Sequence, residues 1–136
     1  MAMRVLIIED NDLNLELLLA ILEQLDLQME LLTATDGRQG WEIFQKEGPD
    51  LVFLDMQLPV VDGFILAGRM KQARPQTVIV GITAYAMTGD RERVLASGCD
   101  HYLAKPVTPA AVRNCSPRFL GSHKRAIQRP AALINA

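Results

Sequence analysis

Three acidic side chains stand where runs of apolar residues stop. Glu9 and Asp10 follow Val5-Leu6-Ile7-Ile8, and Asp55 follows Leu51-Val52-Phe53-Leu54. Two further apolar runs end in groups of other chemistry: Thr83 after Val78-Ile79-Val80-Gly81-Ile82, and Lys105 after Tyr102-Leu103-Ala104. Unbroken apolar runs of this length suit strands buried on both faces of a parallel sheet. A charge inside such a strand is costly to desolvate, so each polar group belongs at a strand end. Brought together, three carboxylates repel, and at least one must have a raised pKa unless a cation intervenes. Mg²⁺ takes oxygen ligands, one or two protein carboxylates among them, and keeps waters or phosphate oxygens for the rest. The loop after Asp55 offers a backbone carbonyl, that of Gln57. A carboxylate beside a divalent cation, an ammonium and a hydroxyl donor is equipped to attack a phosphoryl group. The cation and Lys105 would stabilise the charge spread over the phosphoryl oxygens in the loose transition state.

The elements that must position these groups alternate along the chain. Strands are expected near 4–8 (β1), 28–34 (β2), 51–55 (β3), 78–82 (β4) and 101–104 (β5). Helices lie between them: 13–24 (α1), 38–47 (α2), 64–73 (α3) and 89–96 (α4). Asn11 and Asp12 suit the start of α1, Asp36 that of α2, and Thr88 that of α4. The leucines of α1 cover more than half its circumference, which predicts heavy burial. Trp41 and Phe44, three apart on α2, read as core residues. Pro59 forbids a ladder in the loop after Asp55, and Asp62-Gly63 suits a turn into α3. Five strand–helix alternations imply right-handed crossovers and a doubly wound, flavodoxin-like α/β fold: a five-stranded parallel sheet, order 2-1-3-4-5, with helices on both faces. The switch point between β1 and β3 brings Glu9, Asp10 and Asp55 to one crevice, with Thr83 and Lys105 from the neighbouring strands.

Composition is that of an ordinary globular domain, with 49% hydrophobic and 22% charged residues in a chain of 136. Charge is unevenly placed. Residues 1–100 hold 8 Lys and Arg against 16 Asp and Glu, whereas residues 101–136 hold 6 Lys and Arg and no acid. No aromatic residues interleave with the basic tail in a nucleic-acid-binding pattern, so it reads as a solvated end and direct DNA binding is not expected. Cys99 and Cys115 lack metal-ligand spacing and read as reduced thiols; His101 and His123 are read as surface or structural. The start of the chain runs directly into a strand-like segment and no apolar run reaches membrane-spanning length, so the expectation is a cytoplasmic protein.

Taken in order, Glu9-Asp10-Asn11, Asp55-Met56-Gln57-Leu58-Pro59, Asp62-Gly63, Thr83-Ala84 and Lys105-Pro106 resemble the receiver domain of bacterial two-component response regulators. The resemblance covers roughly residues 3–110. The stretch from Thr83 to Pro106, with Ala86-Met87 and Gly89-Asp90, is most similar to single-domain and hybrid-kinase receivers. The resemblance implies that Asp55 is the phosphoacceptor. It implies Mg²⁺ ligated directly by Asp10 and Asp55, through water by Glu9, and by the Gln57 carbonyl. Thr83 and Lys105 would bind the phosphoryl group. Tyr102 would turn inward as Thr83 moves, while Gln57 and Tyr85 would tune autodephosphorylation. The donor would be a histidine kinase or phosphotransfer protein, and the output a downstream regulator bound through the α4–β5–α5 face. Any catalysis would be limited to the protein's own phosphorylation and dephosphorylation.

The fifth helix, α5, departs from this pattern. It begins well after Lys105-Pro106, with Thr108 as cap and Pro109 in the first turn. Pro117 should then end or kink it, and the periodicity is lost. Residues 1–120 are therefore assigned to the receiver and 121–136 to a basic tail, disordered or non-native. An atypical α5 would expose part of the sheet and favour pairing with a second copy. Three alternative functions share the topology. A Mg²⁺-dependent aspartyl-phosphate phosphatase usually carries a second Asp where Gln57 stands. A flavin module needs a phosphate-cradling loop where Glu9-Asp10-Asn11-Asp12 is acidic. A degenerate receiver would act as a constitutive binding module, but the five key positions are all present.

Overall fold

The computed structural model describes residues 3–25, 28–84 and 88–115. Five parallel strands, β1 (Met3–Ile8), β2 (Met29–Ala34), β3 (Leu51–Asp55), β4 (Val78–Thr83) and β5 (His101–Ala104), form one sheet in the order β2-β1-β3-β4-β5. The helices are α1 (Asp12–Glu23), α2 (Gly37–Glu47), α3 (Gly63–Ala73), α4 (Asp90–Ala96) and a helical segment over 109–115, here α5. The expected fold and strand order agree with this architecture. Tyr85, Pro117, His123 and the tail assigned to 121–136 lie outside the described residues.

β3 is central because all five of its residues are buried, as an unbroken apolar run requires. Its alternate side chains feed two cores. Leu51 and Phe53 join Val5, Ile7, Val80, Ile82 and Leu103 beneath α1 and α5. Val52 and Leu54 join Leu6, Ile8 and Ile79 beneath α2, α3 and α4. Phe44 is fully buried there, and Trp41 stacks on it with ring centroids 5.6 Å apart.

Side-chain caps start four of the helices. Asn11 accepts from the Asn14 N–H, Asp36 from Gln39, Asp62 from Phe64 and Thr108 from Ala111. The expected Thr88 cap on α4 is not formed. Gly89 occupies that position with φ +87°, and no side chain caps the helix. A residue without a Cβ takes this left-handed turn at low cost, which moves the boundary one residue past Thr88.

Heavy burial of α1 is also corrected. Leu18, Ile21 and Leu22 are buried, but Leu13 is 76% and Leu17 39% exposed. A helix lying on one sheet face buries a single stripe, so α1 has more leucines than that face covers. β2 begins at Met29 and is an edge strand of mixed burial. Cys99 and Cys115 are free thiols, and burial pushes Cys99 up to about 11, so it stays protonated.

Candidate functional site

The carboxyl ends of β1, β3, β4 and β5 converge on one edge. Carboxylate oxygens of Glu9, Asp10 and Asp55 lie within 4.8 Å of one another. Asp55 is 1% exposed and Glu9 5%, while Asp10 faces solvent. Each buried carboxylate is held from its own chain neighbourhood. The Gln57 N–H donates to Asp55 Oδ1 at 2.9 Å, and the Asn11 N–H to Glu9 Oε2 at 3.1 Å. Lys105 arrives from the end of β5, with Nζ 3.0 Å from Asp55 Oδ2 and 3.3 Å from Glu9 Oε1. A lysine before proline is ordinarily a surface residue; this one is 16% exposed because two buried anions hold it.

The electrostatics follow from this crowding. Burial chiefly raises the Glu9 carboxyl to about 7; the Asn11 N–H opposes it, the charge and hydrogen bond of Asp55 add to it, and Lys105 lowers it least. The raised pKa expected among the three acids is thus found at Glu9, with burial rather than repulsion as its leading cause. Burial works against the Lys105 ammonium, but its hydrogen bond to Asp55 and the charges of Asp55 and Glu9 outweigh this and raise its pKa.

Thr83 is fully buried at the end of β4. Its hydroxyl oxygen accepts from the Gln57 side-chain amide at 2.5 Å, and the same carboxamide accepts the Ala84 N–H at 2.9 Å. Gln57 thus ties the loop after β3 to the end of β4, a role its sequence position did not signal. Tyr102 is half-buried, and its hydroxyl donates to Asp90 at the start of α4 across 3.4 Å. Asp90 is itself 6% exposed. It was visible in sequence only as part of Gly89-Asp90, with no chemical role.

Two local features shape the loop beyond Asp55. Val60 is fully exposed with φ +71°, and the Val61 N–H donates to the Pro59 carbonyl at 2.7 Å, closing a three-residue turn. Gly63 then lets α3 begin against the strand end: a Cβ there would lie 2.7 Å from Met56 Cα and 2.9 Å from the Asp55 carbonyl oxygen.

An all-oxygen donor set, two buried acids and one solvent-facing acid fit a hard cation such as Mg²⁺. Among the described residues this is the one cluster of three or more His, Cys, Asp or Glu suited to a metal. His101 takes no part in it.

The sheet order and this acidic edge define a receiver-type signalling domain. The response regulator receiver domain family is matched over residues 5–115, and the chain belongs to it. It is 31% identical over 126 residues to the polar-differentiation response regulator DivK of Brucella ovis, covering 91% of this chain and 95% of DivK. It is 36% identical over 120 residues to hybrid signal transduction histidine kinase G of Dictyostelium discoideum. That match covers 86% of this chain but spans 4% of the kinase. Among solved structures, it is similar to a chain of a co-crystal structure from Saccharomyces cerevisiae. That crystal holds the histidine phosphotransfer signaling protein Ypd1 and the receiver domain of its downstream response regulator Ssk1. The TM-score is 0.72 at 30% identity, covering 82% of this chain and 84% of that one. No helix among the described residues is long and apolar enough to cross a membrane.

Proposed function

We propose that residues 1–120 form a phosphorylation-controlled switch in which Asp55 accepts a phosphoryl group from a histidine kinase or phosphotransfer protein. The observation that carries this reading is the Lys105 ammonium 3.0 Å from a buried Asp55, with Glu9 and Asp10 at the same edge. An oxygen of Asp55 attacks phosphorus as the donor's P–N bond breaks, and the electron pair stays on the leaving imidazole nitrogen. Lys105 and the Thr83 hydroxyl bind phosphoryl oxygens. Asp10, Asp55 and the Gln57 carbonyl would hold Mg²⁺ directly and Glu9 through water. Bound there, the ion would neutralise charge on the transferring group. The Gln57 carboxamide must release Thr83 and Ala84 before those groups reach the phosphoryl oxygens. On this reading Gln57 tunes phosphoryl lifetime, and Tyr85 is proposed for the same role.

Engagement of Thr83 lets Tyr102 turn inward and alters the α4–β5–α5 face, where a downstream regulator or a second copy docks. A groove of about 310 Å³ on that face is lined by Arg91, Leu95, His101, Leu103 and Asn114 among others. The working compartment is the cytoplasm. Partners of this type accord with the related receiver crystallised with Ypd1.

Mg²⁺-dependent incorporation of phosphoryl from acetyl phosphate, in the parent chain and in Asp55→Asn, tests the assignment. Labelling that requires both the ion and Asp55 is expected. Labelling that survives in Asp55→Asn, or its absence in the folded parent, would overturn it. Steady turnover of phosphomonoesters would instead favour the phosphatase.

A further inference from the structure

We propose that Asp90 is the positioning residue through which rotation of Tyr102 reaches α4. This rests on the switch role of Tyr102 given above. Tyr102 and Thr83 share one sheet face by strand alternation. Their cross-strand partners are Gly81 and Ala104: the register pairs Gly81 with Tyr102 and Thr83 with Ala104. The two smallest side chains thus border the path between the ring and Thr83. In this structure the Tyr102 hydroxyl is instead hydrogen-bonded to Asp90.

Among the described residues, the charged or polar groups facing the Asp90 carboxylate are the Tyr102 hydroxyl and the Arg93 guanidinium, 4.0 Å away. Arg93 is drawn the other way, with its guanidinium carbon 4.7 Å from the centroid of the Phe64 ring. When Tyr102 turns toward Thr83, a nearly buried carboxylate loses its hydrogen bond, which is more costly than the bond itself was favourable. The least expensive response is a shift of α4 that returns Asp90 to water or to Arg93.

α4 is built to make that shift. It has seven residues and no capping side chain, and only Asp90 and Val94 are buried. Val94 packs directly on Gly81, where an added Cβ would lie 2.6 Å from its methyl, so no side chain on β4 blocks its path there. Asp90 is thus the polar attachment of α4 to β5, released by the same ring that follows Thr83.

A double-mutant cycle on the full chain tests this, with Asp90→Ala, Asp90→Asn, Tyr102→Phe and Asp90→Ala/Tyr102→Phe. The probe is Mg²⁺ with beryllofluoride, a phosphoryl analogue. The readouts are its dissociation constant and the NMR amide shifts of Val94 and Leu95. Losing a hydrogen bond made only before activation should tighten analogue binding in Asp90→Ala by about fivefold. The α4 amides of that variant should respond little to the analogue. Asp90→Asn keeps an acceptor for Tyr102 without the charge and should fall between parent and Asp90→Ala. In the Tyr102→Phe background, Asp90→Ala should change nothing further. Equal effects of Asp90→Ala in both backgrounds, or unchanged α4 shifts in Asp90→Ala, would overturn the coupling while leaving the switch intact. Failure of the parent chain to bind the analogue would overturn the switch reading and the coupling with it.

Discussion

Glu9 is the residue on which the conflict in the site settles. Burial chiefly, with Asp55 adding to it, raises its carboxyl to about 7 in the fold, against an ordinary 4.5. The folded state therefore holds a proton that the unfolded chain has released between these values. The associated stability is fully present below about 4.5 and is lost as pH rises through about 7. Without divalent ions, denaturant unfolding should show stability falling by about 3 kcal/mol from pH 4.5 to 8. Glu9→Gln should flatten that slope. Lys105→Met should cost about 2–3 kcal/mol at pH 8, because two buried carboxylates lose their cation. The loss should shrink near pH 5, where Glu9 is protonated. Val60 makes the opposite case. A β-branched residue at φ +71° is strained, so Val60→Gly should raise unfolding free energy by about 1 kcal/mol in the same assay.

The elements were readable where local chemistry and tertiary demand agree. The runs ending at Ile8, Leu54 and Ile82 are apolar throughout because their strands are covered on both faces, and that pattern survives in one dimension. Asn11, Asp36 and Asp62 announce their helices because a cap acts within three residues. Exposed Leu13 and Leu17 were misjudged because a leucine's burial depends on whether a second layer exists above the helix. The polar triad of Glu9, Asp55 and Lys105 was legible through topology alone. The Gln57 carboxamide and the Asp90–Tyr102 pair were not, since they depend on rotamers facing each other across distant loops. Gly63 links element to site. Its neighbours at 2.7 and 2.9 Å are backbone atoms with nowhere to go. Gly63→Ala should cost about 2 kcal/mol by overpacking and slow labelling from acetyl phosphate, because relief requires moving the peptide beside Asp55.

Across the whole molecule, two side-chain links stitch the far end of the sheet. Asp100 Oδ2 accepts from Lys71 Nζ at 2.7 Å and from the Ile79 N–H at 2.8 Å, fixing α3, β4 and the approach to β5 together. Arg4 spans the opposite side, reaching Glu30 and the Glu47 carbonyl. These ties lie at the amino ends of the strands, away from the reacting edge. The strand order then has a mechanical consequence. β3 is flanked by β1 and β4, whereas β5 has four residues and a neighbour on one side only. Stiffness must therefore fall away from the centre toward that margin. Amide hydrogen exchange should be slowest in β1, β3 and β4 and fastest in β5 and α4. Asp55 stands on the stiffest strand as a fixed anvil. Lys105, Tyr102 and Asp90 ride on the β5 border, so a load applied at Asp55 passes outward to the margin that carries them.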